Sequence, residues 1–142
     1  MKQEEKELLL RDLSARLPYG VIVRHADPLV DNDGNETGEF WYKRGYLCDI
    51  TTLDDMTTTI IESEGSDAEG YEHICFLDRT VPFLRPMSSI TEEEEFKLNE
   101  TTCYTQFTLE SYDWLNAHYF DYRGLIEKGL AIEAPKGMYK ID

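Results

Sequence analysis

Two short pairings of histidine with carboxylate mark where metal or general acid–base chemistry would begin in this chain: His25-x-Asp27 and His118-x-x-Asp121. The second spacing puts both side chains on one face of a helix. It runs on into Tyr122 and Arg123, so His118, Asp121, Tyr122 and Arg123 form a candidate pocket for a small molecule or a metal. Neither pair has the HExxH form or a third ligand at a zinc spacing, so no metal is assigned. Asp31, Asp33 and Asn35 match the first three ligand positions of a calcium loop. The match ends at Glu36, where the loop needs glycine, and at Tyr42, where it needs a bidentate glutamate. An acidic hairpin turn at Asp33-Gly34 is expected there. Cys103 and Ser111 lack the GxSxG and Cys-His surroundings of a nucleophile. With no Walker A or dinucleotide fingerprint, no cofactor is expected.

Charge sets the partner class. Fourteen basic residues against 29 acidic ones leave a net charge of −15. Between Arg44 and Arg79 there is no lysine or arginine, while nine acids fall there. Such a surface repels phosphate backbones, so nucleic acid is not expected as a direct ligand. A basic protein partner is, bound through Asp54, Asp55, Glu62, Glu64, Asp67 and Glu69. No apolar run approaches the roughly 20 residues of a membrane helix. The charged, helical start lacks a signal region, and three scattered cysteines without a CxxC suit a reducing cytoplasm.

The elements that must position these groups follow from periodicity. Leu9, Leu10, Leu13 and Leu17 predict a helix over 2–17, with glutamates in its first turns and Arg16 in its last. Residues 21–77 read as mainly β. Val21–Val23 is a short strand ended near Pro28, 40–42 and 46–50 are two strands around Gly45, and 57–61 and 73–77 are two more. A loop is expected over 62–70, extended chain over 81–86, and a short strand over 104–107. Ser89-x-x-Glu92 and Thr91-x-x-Glu94 are overlapping capping boxes, either of which starts a helix reaching about residue 99. A helix opening near Ser111 carries the apolar stripe Tyr112, Leu115 and Tyr119. Gly129 ends one further turn, and Leu130–Ala134 and Tyr139–Ile141 flank a Pro-Lys-Gly turn as a β-hairpin.

The fold expectation is α+β in a single domain, 1–142: a bent antiparallel sheet with N-terminal, middle and C-terminal helices and a C-terminal β-hairpin. The stretch Leu125–Ile132 with its Pro-Lys-Gly turn resembles the end of a winged-helix domain. Four bases against six acids in residues 109–142 lack the basic wing that DNA binding needs. Leu17–Val21, Phe83–Ser89, Asp113–His118, Asp121–Ile126 and Leu130–Tyr139 resemble small uncharacterised proteins encoded in phages and prophages of Bacteroides-type gut bacteria. The resemblance implies a mobile-element setting in a bacterial cytoplasm. The functional expectation is a non-enzymatic acidic binding protein that occupies a basic, nucleic-acid-binding surface of its partner. The alternative is a small enzyme or ligand-binding domain using the His118 pocket.

Overall fold

The computed structural model describes residues 1–63 and 72–140. Its elements are α1 (Gln3–Arg16), β1 (Ile22–Val30), β2 (Glu36–Leu53), β3 (Met56–Ser63), β4 (Glu72–Phe76), β5 (Thr80–Leu84), α2 (Glu92–Asn99), α3 (Leu109–Ala117) and β6 (Ile132–Glu133). The architecture is mixed α+β, with strand order β4-β3-β2-β1-β5-β6. The chain, expected as one domain, gathers its contacts in two compact units, Met1–Pro82 and Phe83–Asp142. Among the described residues, no helix is long and apolar enough to cross a membrane.

In the first unit α1 buries Leu9 and Leu13 together with Asp12 and Arg16, which form a fully buried two-point ion pair at 2.8 and 3.0 Å. Each buried charge thereby has its counterion, without which it would cost several kcal/mol. β1 does not stop before Pro28, as the sequence suggested, but runs through it. Proline removes one ladder donor, and here none is needed: β5 pairs only with Val23–His25 of β1, so Pro28 is bonded on the β2 side alone. The two expected strands around Gly45 are one 18-residue strand. Gly45 is not a turn residue. A Cβ there would overlap the Glu62 carbonyl, so glycine lets β3 pass close. The β2–β3 turn falls instead on Asp54 and Asp55, both at positive φ, as a two-residue hairpin requires.

This sheet is bent. β1 and β4 are three strand spacings apart, about 14 Å if flat. Yet His25 and Asp27 of β1 lie 2.8 and 2.9 Å from His73 of β4. Only strong curling closes that gap.

The second unit packs Leu98 of α2 and Leu115 of α3 against Phe120, with Met87, Ile90, Trp114 and Tyr122 around them. Thr91, not Ser89, caps α2. Its hydroxyl accepts from Glu94 N while Glu94 returns a bond to Thr91 N, and Ser89 bonds Pro86 O instead. α3 starts earlier than expected, capped by Thr108, and stops at Ala117. Tyr119 lies beyond it at φ 63, so the Tyr112–Leu115–Tyr119 stripe is not a helix face, and Tyr112 is exposed. The expected strand at 104–107 is a tight turn with Tyr104 and Thr105 at positive φ. Of the expected C-terminal hairpin, the first arm is β6, which pairs in parallel with β5. Met138 N closes the turn onto Pro135 O, and Ile141 lies outside the described residues.

Candidate functional site

Strand register places seven residues on one open face of the first unit. Tyr46 of β2 stands opposite Glu62 of β3, and Glu62 stands opposite Glu72 of β4. Ile60 faces Ile74 and Thr58 faces Phe76 in the next two rows. Positions two apart on a strand share a face. Tyr46, Ile74 and Phe76 are 45%, 60% and 45% exposed, so this side of β2–β4 has no cover within its unit. Glu62 and Glu72 are exposed, and neither has an ion-pair partner among the described residues. Arg24, lying over the Tyr42 ring at 4.1 Å, and Arg44 stand on the β1–β2 side of the same surface.

Of the acids singled out in the sequence, Glu62 belongs to this face. Asp54 and Asp55 are at the opposite end of β3, roughly 20 Å away at about 3.3 Å per residue. Asp55 lines a separate hollow of about 260 Å³ with Lys6 and Arg79. Glu64, Asp67 and Glu69, and most of the expected 62–70 loop, lie outside the described residues. The bulge between Leu47 and Asp49 brings Cys48 beside the two glutamates, their ligand atoms within 4.8 Å of one another. Burial and the carboxylates of Glu62, Glu72 and Asp49 push the Cys48 thiol up, which favours a protonated thiol over a metal-binding thiolate.

The inner face carries a polar chain that sequence spacing did not reveal. Thr80 Oγ1 donates to Phe76 O at 2.9 Å, so in its 2.7 Å contact with Thr59 it must accept. Thr59 has then used its proton, and His25 Nε2, 2.7 Å away, is the donor. Burial, with His73 adding to it, lowers the His25 pKa to about 4, so its ring is neutral and Nδ1 accepts from His73 Nδ1. His73 Nε2 lies 2.9 Å from Asp27 Oδ2, off the line of a good hydrogen bond but within ion-pair distance. This Asp–His–His–Thr–Thr chain has the connectivity of a nucleophile relay. Thr59 and Thr80 are fully buried, however, and no substrate reaches them. The chain instead ties β1, β3, β4 and β5 together across the curl.

In the second unit the four residues of the candidate pocket separate. Asp121 accepts from Leu125 N and Ile126 N and caps the following turn. Tyr122 donates to Asn116 Oδ1, and the Arg123 guanidinium lies over the Tyr122 ring. His118 alone lines a cleft of about 740 Å³, with Arg85, Glu94, Lys97, Trp114 and Lys136. Arg85 binds Glu94 through two 2.8 Å hydrogen bonds, which hold that carboxyl below its ordinary range, and stacks over Phe120 at 4.1 Å. Local sequence could not show this, because the wall joins residues 85–97, 114–118 and 133–139.

Fold and surface together define an α+β protein with one open aromatic-and-acidic sheet face and one walled cleft. The chain matches no protein-family model, no curated protein and no solved structure.

Proposed function

We propose that the protein is a non-enzymatic binding protein that docks a basic protein partner on the outer face of β2–β4. The observation that carries this reading is the pair Glu62 and Glu72, set directly opposite each other on adjacent strands beside exposed Tyr46, Ile74 and Phe76. Like charges opposed in this way destabilise a sheet. An exposed apolar patch rimmed by charge is the composition of a docking surface. A partner bringing lysine or arginine between the two carboxylates relieves the repulsion and covers the apolar rows. The base-free stretch between Arg44 and Arg79 supports the same partner chemistry. The phage resemblance supports a bacterial cytoplasmic setting, in which the partner's basic groove is one that otherwise holds nucleic acid.

Affinity capture from a bacterial lysate, run at low and high salt with the chain and a Glu62→Lys/Glu72→Lys variant, tests this. Basic proteins retained at low salt, released at high salt and lost by the variant are expected. Equal capture by the variant, with its circular dichroism unchanged, sinks the reading. A second reading, small-molecule binding, is favoured by the cleft at His118.

A further inference from the structure

The cleft of the second unit has a wall fixed in both position and proton placement. The His118 ring lies parallel to Trp114, centroids 4.0 Å apart at 18°. His118 Nδ1 is 2.8 Å from the Trp114 carbonyl oxygen, which only accepts, so Nδ1 carries the proton. In the neutral ring Nε2 is then a bare acceptor, and it has no partner among the described residues. Tyr139 is equally fixed: its ring stacks on Tyr119 at 3.7 Å and its hydroxyl donates to Phe83 O. These rings offer a ligand flat apolar surface and one directed acceptor.

Charge completes the selection. Arg85 and Glu94 neutralise each other and are locked together. The remaining cations of the lining are Lys97 and Lys136. Lys97 has only a 3.6 Å contact with Glu93, whose side chain is 80% exposed, and water screens such a pair to little value. Lys136 has no ion pair among the described residues and stands on the exposed Pro135–Gly137 turn. In a chain of net charge −15, this lining balances three bases (Arg85, Lys97, Lys136) against three acids (Glu93, Glu94, Glu133). It is therefore a surface on which an anion is tolerated.

We propose that the cleft binds a small aromatic carboxylate bearing a ring hydroxyl or N–H. The ring packs against the Trp114–His118 wall, the carboxylate pairs with Lys97 and Lys136, and the hydroxyl or N–H donates to His118 Nε2. The volume is that of a cleft holding ligands up to drug size, so a two-ring acid fits.

The test is an NMR titration with 6-hydroxy-2-naphthoate, followed at the indole N–H signals of Trp114 and Trp41. Saturable shifts at Trp114 alone, with a Kd below about 1 mM, are expected. The uncharged 6-hydroxy-2-naphthamide, and 2-naphthoate without its hydroxyl, should each bind about tenfold more weakly, one hydrogen bond or ion pair's worth. A Lys97→Glu/Lys136→Glu variant, altered only at exposed positions, should lose the preference for acid over amide. His118→Phe keeps a ring against Trp114 and should bind hydroxynaphthoate and naphthoate alike. Shifts centred on Trp41, no saturation, or an unchanged preference in the lysine variant would overturn the proposal.

Discussion

The δ nitrogens of His25 and His73 lie 2.8 Å apart, and burial of the His25 ring makes the first unit sensitive to acid. The His25 pKa falls from 6.5 to about 4 in the fold. Between those values the unfolded chain binds the proton and the folded chain refuses it, so this contribution to stability is present above pH 6.5 and is lost as pH falls toward 4. A shift of this size corresponds to at most about 3 kcal/mol. Urea denaturation at pH 7 and pH 4.5 should show the loss, and His25→Gln should flatten that part of the pH dependence while lowering stability at pH 7. A pH profile identical in His25→Gln and the native chain would mean that His25 does not hold its neutral form in the fold. Phe120 is the matching apolar case: it is fully buried under the Arg85 guanidinium. Phe120→Ala should cost about 3–5 kcal/mol by thermal denaturation.

At the scale of elements, α2 and the β3–β4 hairpin show opposite relations between local chemistry and stability. In α2 the capping box, four leading glutamates and Lys97 near the end all favour the helix. Thr91→Ala should cost about 1 kcal/mol, since the capping hydroxyl is lost. Ser89→Ala, which removes a bond outside the helix, should cost far less; equal losses in the two variants would show that the box is not what starts α2. The β3–β4 hairpin instead holds Glu62 against Glu72. Glu72→Thr should therefore raise stability, by about 0.2–1 kcal/mol, while weakening capture of the basic partner. A substitution that stabilises the fold and impairs binding is the signature of a residue kept for its partner. A Glu72→Thr chain less stable than the native one would count against the opposed-charge argument.

The whole molecule carries −15, and that charge acts at a distance before any contact forms. Exposed charges are screened as the Debye length falls from about 10 Å at 0.1 M salt to about 3 Å at 1 M. Association with a basic partner should slow markedly over that range, and dissociation should change less, because rim charges mainly set the on-rate. Surface plasmon resonance with a captured partner measures both rates. Association that ignores salt would leave the acidity with no part in docking.

Sequence by itself determined the local elements of this protein. The spacing of Leu9 and Leu13, the Thr91–Glu94 box, the Asp33–Gly34 turn and the β-branched run of β3 depend on neighbours a few residues away. Where it failed at Pro28 and Gly45, a residue type that usually marks a boundary met a tertiary circumstance that reversed its meaning. Pro28 had no second neighbour to bond, and Gly45 lay under a passing carbonyl. The sites were illegible for a stronger reason. His25 and His73 are 48 residues apart, Arg85 and His118 33 apart, and only sheet curling and helix packing bring them into contact. The Asp54–Asp55 turn and Glu62, close in sequence, lie at opposite ends of one strand, because an extended chain separates what a helix would gather. Composition thus set the net charge on which the proposed basic partner rests, and tertiary structure alone decided which acids share a face.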